Sequence, residues 1–255
     1  MKASPPPNLK RIALFFLFSF LAMLVVAQPD SVAKSRTKKN IIKLNLFALG
    51  LKNISAQYER SIGKKTSIAI GFRYMSEGSI PFKNTITDII DDEETERQIN
   101  NFKTGNFAVT PEIRFYLGHK NDSRGFYIAP YGRFARYTAK LLYEYDDAGV
   151  TKTIPLSGSV NTITGGLLFG TQWKIGKLVY LDWWLFGPNY GTSDGTIDGK
   201  KNLSTSEQQA LRNDLDDLDI PLTKINYVVD ANGATVNFNG PWAGIRSGLC
   251  IGIKF

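Results

Sequence analysis

The chain has 255 residues, of which 43% are hydrophobic and 21% charged, and its formal net charge is +8. This length suits a single domain, and this composition excludes a disordered chain and a bundle of apolar membrane helices. One cysteine, Cys250, excludes a disulfide framework. The 23 glycines, 16 phenylalanines and 11 tyrosines are typical of a β-rich chain with many turns.

The N-terminus has the pattern of a secretory signal peptide. Lys2, Lys10 and Arg11 precede an apolar run over residues 12–26, and the small Ala27 follows it. A basic segment, an apolar segment of about 15 residues and a small residue at the cleavage position define such a signal. The alternative is a transmembrane anchor, but a spanning helix needs about 20 apolar residues. We therefore predict a signal peptide over residues 1–27.

A short basic tail follows over residues 28–39. Removing the predicted signal, which holds three basic and no acidic residues, lowers the net charge from +8 to +5. Within the tail, Lys34, Arg36, Lys38 and Lys39 outnumber Asp30. The basic balance therefore indicates a periplasmic N-terminal tail and not a nucleic-acid surface, and we expect no nucleic-acid partner.

Apolar and polar residues alternate from Asn40 to the C-terminus, and this period of two predicts β-strands. In the last predicted strand Ile251 and Ile253 share one face, whereas Arg246 and Cys250 share the other. The predicted strands have approximate bounds of 40–48, 53–61, 66–75, 106–117, 125–143, 151–174, 178–190 and 240–255.

The connections favour a barrel over a two-sheet sandwich, which alternation alone leaves open. The turns at 63–65, 118–124 and 175–177 are short, whereas long segments join strands three and four and strands seven and eight. Short turns at one end and long loops at the other are typical of outer-membrane barrels. We predict an all-β fold, an antiparallel eight-stranded transmembrane up-and-down β-barrel over residues 40–255. Ser204 and Glu207 have the spacing of a capping box, which predicts a short helix in the last long loop through Leu218.

Several short motifs resemble segments of outer-membrane barrels. They are IKLNL (42–46), QYER (57–60), EIRFY (112–116), GFYIAPY (125–131), LFGP (185–188) and GIKF (252–255). On these motifs residues 40–255 resemble the small barrels of the OmpA and OmpX type and, more closely, a family of short barrels common in Bacteroidota under a domain-of-unknown-function heading. The resemblance implies the fold and a bacterial outer-membrane location, and it carries over no catalytic residue. The terminal Phe255 resembles the assembly signal at the end of such barrels.

With the apolar faces against lipid, the opposite faces fill the lumen. An eight-stranded barrel has room for its own side chains and little else, and buried charges need partners. The sequence therefore predicts a packed lumen network of ion pairs and tyrosines, made of Lys43, Glu59, Arg73, Glu112, Arg114, Tyr131, Arg133, Lys174, Asp182 and Arg246. Six basic against three acidic residues leave an excess that water, carbonyl groups or an anion would have to meet.

The sequence carries no motif that predicts a catalytic site, a cofactor or a metal, so we expect a non-enzymatic protein. Its one histidine, His119, falls in a predicted periplasmic turn, away from outer-leaflet lipid. The leading hypothesis is a structural or interaction role, in which a membrane anchor displays acidic extracellular loops for envelope integrity, adhesion or partner docking. The alternative is a narrow pore or a barrel that binds or transports a small ligand.

The expected partners follow from the predicted location. They are outer-membrane lipid and lipopolysaccharide, the barrel-assembly machinery and the periplasmic chaperones. An extracellular partner is expected through the acidic loops near residues 76–105 and 202–240.

Overall fold

Antiparallel strands make up most of the chain that the computed structural model describes, which is residues 38–90, 93–118, 123–147, 149–216 and 220–255. The strands are β1 (Asn40–Asn45), β2 (Ile54–Ser61), β3 (Thr66–Ser79), β4 (Lys103–Tyr116), β5 (Gly125–Asp147), β6 (Val150–Lys174), β7 (Val179–Lys200), β8 (Lys224–Asp230) and β9 (Gly233–Lys254). The helices are α1 (Leu46–Gly50), α2 (Lys83–Thr87), α3 (Glu93–Asn101) and α4 (Thr205–Asp216). The predicted signal peptide and all but the last two residues of the predicted tail lie outside the described residues.

Eight of these strands close into a ring. Their order is β1-β2-β3-β4-β5-β6-β7-β9, and β9 pairs back onto β1 from Ile41↔Lys254 to Asn45↔Cys250. All pairings are antiparallel. They join strands that are neighbours in the sequence, except for the closure of β9 onto β1 and the pairing of β7 with β9. The predicted all-β antiparallel barrel is therefore confirmed, and the ring has the predicted number of strands.

The ninth strand, β8, lies outside the ring. It pairs with the first part of β9, from Lys224↔Asn239 to Asp230↔Gly233. The sequence prediction placed this segment in a loop and began the last strand at Gly240. It also extended the first strand to residue 48, whereas β1 ends at Asn45, whose side-chain Oδ1 accepts the Ala48 backbone N–H at 3.2 Å and so caps α1.

The two ends of the ring differ in their connections. Residues 62–65, 117–124 and 175–178 connect strands at the end where β1 begins and β9 finishes, which we call the turn end. At the opposite end, the loop end, lie α1, α2, α3 and the segment from β7 to β9.

The wall of the ring is uneven. β1 has 6 residues and β2 has 8, whereas β5, β6, β7 and β9 have 22 to 25. At about 3.3 Å per residue, β6 runs about 80 Å and β1 about 20 Å. The long strands therefore continue past the loop end, and together with β8 they form what we call the extension (residues 141–147, 150–156, 194–200 and 224–239).

Helix α4 covers the inner face of the extension. The Tyr145 hydroxyl on β5 donates to Glu207 Oε1 at 3.0 Å, and Arg212 donates to the Val229 carbonyl on β8 at 2.6 Å. The helix thus joins the first and last strands of the extension across a small apolar core. That core is formed by Tyr145, Ile154, Leu203, Leu211 and Val229.

The predicted capping box opens this helix. The Ser204 backbone N–H donates to Glu207 Oε2 at 2.7 Å, and the Glu207 N–H donates to Ser204 Oγ at 3.3 Å. Because each polar group at the helix start satisfies the other, the helix has a fixed first turn. The predicted helix is confirmed over Thr205–Asp216, and Leu218 lies outside the described residues.

The outward face of the ring is apolar and the inward face is polar. On β3 and β4, the side chains of Ile68, Phe72, Phe107 and Ile113 are exposed, whereas Arg114 is fully buried. A two-sheet sandwich would bury the apolar faces and expose the charges, so this burial pattern and the closed ring exclude it. Among the described residues, no helix has the length and apolar character needed to cross a membrane.

Placing a charge on the outward apolar face should destabilise the barrel in lipid. Ile70 pairs with Tyr58 and Pro111 halfway along the ring wall and is exposed. We expect Ile70→Arg to lower the free energy of unfolding by about 2–4 kcal/mol, which is the cost of arginine near a bilayer midplane. Urea unfolding from phospholipid vesicles measures this. Val150→Arg at the tip of the β5–β6 hairpin is the matched control and should change little; equal effects at both positions would contradict the prediction.

Acid should loosen α4 from the extension. The Ser204 backbone N–H, and after it the side chain of Lys201, hold the pKa of the Glu207 carboxyl far below its ordinary 4.5. A lowered folded-state pKa contributes stability that is complete above pH 4.5 and is lost as the pH falls towards the folded-state value. Amide-exchange protection factors of α4 should therefore fall between pH 5 and pH 3.

Two variants test this assignment of the pH response. Glu207→Gln should reduce the protection of α4 at neutral pH and remove most of its pH dependence, because the titrating group is gone. Glu96→Gln on the exposed side of α3 should leave the pH dependence of α4 unchanged. A wild-type pH response in Glu207→Gln would rule Glu207 out as its source.

Candidate functional site

A cluster of charged side chains fills the lumen between the strands of the ring. It consists of Lys43 on β1, Glu59 on β2, Glu112 and Arg114 on β4, Asp182 on β7 and Arg246 on β9, and we call it the plug. Residues of one strand that lie two positions apart face the same way, so the period-two pattern turns all of them inward. Their side chains are almost completely buried.

Asp182 is held between two cations. Its Oδ2 accepts from Lys43 Nζ at 2.6 Å and from Arg114 Nη1 at 2.6 Å. The indole Nε1 of Trp184 donates to the same oxygen at 3.0 Å, and the Tyr127 hydroxyl donates to Oδ1 at 2.8 Å. The carboxylate thus exchanges its hydration for four donors in the protein.

Arg114 links the acidic members of the plug. Its Nε contacts Glu112, and its Nη1 lies 3.2 Å from Glu59 Oε2. Its Nη2 donates to Gln57 Oε1 at 2.8 Å, and the guanidinium carbon lies 4.5 Å from the centre of the Tyr127 ring. The fixed, planar fork of an arginine suits this position, since it reaches several acceptors at once.

Glu59 and Glu112 complete the plug. Glu59 contacts Lys43 and accepts from the Tyr116 hydroxyl at 2.7 Å and from Ser67 Oγ at 2.6 Å. Glu112 also contacts Arg246.

Arg246 and the aromatic rings beside it form the side of the plug nearer the loop end. Its guanidinium lies 4.0 Å from the ring centre of Trp184 and 5.3 Å from that of Tyr131. The Tyr131 hydroxyl donates to the Gly187 carbonyl at 2.8 Å.

The plug is neutral as a whole. Three cations, Lys43, Arg114 and Arg246, face three anions, Glu59, Glu112 and Asp182. The sequence analysis counted an excess of positive charge in the lumen. The plug has no such excess, because three predicted members, Arg73, Arg133 and Lys174, are absent from it.

Those three residues lie elsewhere. Arg73 and Arg133 line a cavity on the loop-end side of the plug, and Arg73 Nε donates to Asn53 Oδ1 at 2.9 Å. Lys174 is the last residue of β6 and is exposed at the turn end, so its predicted place in the lumen network is wrong. Alternation predicts which way a side chain points but not where its strand leaves the ring.

Two glycines make room for the tyrosines of the lumen. A Cβ atom on Gly170 would lie 2.3 Å from the Tyr127 hydroxyl, and one on Gly166 would lie 2.6 Å from the Tyr131 ring. Since real Cβ contacts are not this short, any larger residue there would displace the tyrosine. Sequence analysis missed these fits, because a glycine gives no sign of which side chain occupies its space.

A cavity of about 220 Å³ lies above the plug. On β1, β2, β4 and β7 the lining residues lie further towards the loop end than the plug residues of the same strand, whereas on β9 the lining runs from Trp242 to Ser247 and includes Arg246 itself. Thr110 lies beyond Glu112 on β4, and Gly244 lies beyond Arg246 on β9. We call this cavity the cup, and its polar and aromatic lining includes Arg73, Thr110, Arg133, Tyr137, Thr162, Thr164, Asn189 and Trp242.

The remaining predicted residues are placed as follows. Phe255 follows β9 with an exposed ring, and its backbone N–H donates to the Asn40 carbonyl at 2.8 Å. Its role as an assembly signal stays a prediction. His119 lies outside the described residues, and Cys250 is buried in the lumen.

Two comparisons with known proteins give matches. The family model described as "Protein of unknown function (DUF3575)" matches residues 15–186. The translocator domain of the autotransporter NalP from Neisseria meningitidis is similar at 11% sequence identity and a TM-score of 0.33, over 96% of this chain and 98% of that domain. No curated protein matches the chain. The narrower resemblance to OmpA and OmpX stays a prediction.

Neutralising Asp182 should destabilise the barrel. Asp182→Asn keeps the shape of the side chain but leaves Lys43 and Arg114 with one anion fewer in a buried site. We expect the free energy of unfolding to fall by about 3–5 kcal/mol, the usual cost of breaking a buried ion pair. Urea unfolding in vesicles measures this.

Matched variants separate the plug from a general charge effect. Glu77→Gln removes an exposed partner of Lys140, at 2.7 Å, and should cost less than about 1 kcal/mol. The double variant Lys43→Met with Asp182→Asn restores neutrality and should be more stable than the sum of the single changes predicts. Additive single effects would contradict the coupling.

Proposed function

The chain belongs to the family described as "Protein of unknown function (DUF3575)", and we propose that it is a non-enzymatic outer-membrane barrel that does not conduct and that presents its extension for binding at the cell surface. The role is structural or interactive, as an anchor for envelope integrity, adhesion or partner docking. One observation carries the proposal: a neutral, hydrogen-bonded plug occupies the lumen.

The plug supports a closed lumen for a geometric reason. The interior of an eight-stranded barrel is just wide enough for its own side chains. Lys43 from β1 reaches Asp182 on β7, and Arg114 on β4 reaches the same carboxylate, so the cluster crosses the lumen from several walls. An ion passing through would have to break these contacts and leave a buried charge unpaired, which costs several kcal/mol.

The membrane location is supported by the distribution of apolar surface. The outward residues of the ring are aliphatic and aromatic and stay exposed, which is unfavourable in water and favourable against lipid. A closed barrel also satisfies its backbone hydrogen bonds between its own strands, as hydrocarbon requires. The predicted signal peptide favours export, and therefore a bacterial outer membrane.

The extension is the proposed binding surface. It continues β5 by seven residues beyond Lys140, where pairing with β4 ends. At about 3.3 Å per residue this carries the tip of β5 about 20 Å along the strand direction beyond its last pairing with β4. A rigid, folded platform of this kind loses little conformational entropy when it binds a partner. The acidic α3 lies beside it and adds negative charge.

Conductance measurements test the closed lumen. Purified full-length protein, shown to be folded by its heat-dependent gel mobility, should give no reproducible current steps in a planar lipid bilayer. Steady, anion-preferring steps from the wild-type protein would contradict the proposal and would favour the narrow pore.

Proteolysis of intact cells tests the orientation. Trypsin should cut within residues 201–224, where Lys201, Arg212 and Lys224 lie at the loop end. It should spare Lys64 and Lys65 at the turn end until the outer membrane is opened. Cutting at the turn end alone on intact cells would reverse the orientation and remove the extension from the cell surface.

The absence of catalysis is tested through the single histidine. His119→Ala should leave the lipid composition of the outer membrane unchanged. An altered lipid profile in this variant would contradict the non-enzymatic proposal.

A further inference from the structure

The geometry points to a ligand site in the cup, and its ligand is a small sugar-sized ring that carries a carboxylate or phosphate group. The site lies next to the plug, with which it shares Arg246, and goes beyond the structural role proposed above. Four features of the cup support it: its charge, an unpaired polar group, an aromatic pair and its size.

The first feature is uncompensated positive charge. Arg73 and Arg133 both line the cup, and neither forms an ion pair with a carboxylate in the part of the chain that the structure describes. Arg246 also reaches the cup, but Glu112 already compensates it. None of the described lining residues is acidic. Two half-buried guanidinium groups without counter-charges favour an anion between them, and arginine suits the paired oxygens of carboxylate and phosphate.

The second feature is a buried hydroxyl without a partner. Thr164 is 4% exposed, lines the cup, and its Oγ1 has no hydrogen-bond partner among the described residues. Buried polar atoms in native proteins nearly always have a partner, so a bare one in a cavity indicates a polar group that occupies the cavity. Thr110 on β4 and Asn189 on β7 also line the cup and supply further polar groups.

The third feature is a pair of aromatic rings at the outer boundary of the cup. Tyr137 on β5 and Trp242 on β9 stack with ring centres 5.2 Å apart and planes 29° apart. Of the residues that line the cup, each lies furthest towards the loop end on its strand. Since β6 and β7 separate β5 from β9 in the ring, the pair reaches across the opening. A ring-shaped ligand therefore meets a flat aromatic surface at its uncharged end.

The fourth feature is size. The cup has about 220 Å³, below the roughly 300–1,000 Å³ of pockets that hold drug-sized molecules. A single sugar ring with one anionic group suits this volume, and an oligosaccharide does not. Below the cup the plug closes the lumen, so the ligand enters and leaves through the loop end. The site therefore binds without transporting.

The test is a titration of purified full-length protein in detergent, followed by tryptophan fluorescence and calorimetry. The probes are glucuronate, glucose 6-phosphate, inorganic phosphate and glucose. Binding of either anionic sugar, with little binding of glucose, supports the site. The tighter of the two identifies the preferred anionic group, carboxylate or phosphate.

Three outcomes would overturn the inference. They are no binding of either anionic sugar, equal binding of glucose, and inorganic phosphate binding as tightly as glucose 6-phosphate. If inorganic phosphate bound as tightly as glucose 6-phosphate, the sugar ring would add nothing to the affinity, which would contradict its contact with Tyr137 and Trp242.

Variants locate the binding in the cup. Arg133→Gln should raise the dissociation constant about tenfold or more, since a charge-assisted bond is lost. Arg133 makes no hydrogen bond to a described side chain that the change would break, and the gel-mobility shift shows whether the variant is folded. Arg136→Gln, on the outward face of the same strand, is the matched control and should bind as the wild type does. Unchanged binding in Arg133→Gln would place the ligand elsewhere and overturn the inference.

Discussion

The neutrality of the plug is the constraint on which the rest of this barrel depends. Asp182 lies between Lys43 and Arg114 in a space with little room for water, and each of these charges is tolerable only because the others are present. The same requirement accounts for the hydroxyls of Tyr116 and Tyr127, which supply the donors that solvent would otherwise supply. It also accounts for Gly166 and Gly170, whose missing side chains admit tyrosine rings.

Neutrality also divides the lumen into two parts with different chemistry. In the plug, six charged groups compensate one another and close the lumen. In the cup, on the loop-end side of the plug, Arg73 and Arg133 form no ion pair with an acidic residue that the structure describes. These two uncompensated guanidinium groups lie on the side that opens to the long loops, where an anion can reach them without crossing the ring.

Much of this structure was predictable from the sequence, and the failures have physical reasons. Alternation placed Glu59, Arg114 and Asp182 on inward faces, because the side-chain period of a strand is two whatever the fold. It did not show that Lys174, at the predicted end of its strand, is exposed at the edge of the ring, since the position of that edge depends on the pairing partners. Strand β8 was missed although it forms a hairpin with β9 that closes at Asp230 and Gly233, because it lies outside the ring and its buried residue Val229 faces α4 and not the lumen. The cup was missed because Tyr137 and Trp242 meet only after closure.

The long separation between Lys43 and Asp182 bears on how the barrel is built. These residues are 139 positions apart, and Glu112 and Arg246 are 134 apart. A chain of which only the early strands have been inserted therefore holds unpaired charged side chains in an apolar environment, because their ion-pair partners lie on strands that are not yet in place. A partly formed ring is therefore higher in free energy than the closed one. We expect the strands to insert and β1 to pair with β9 in one concerted event.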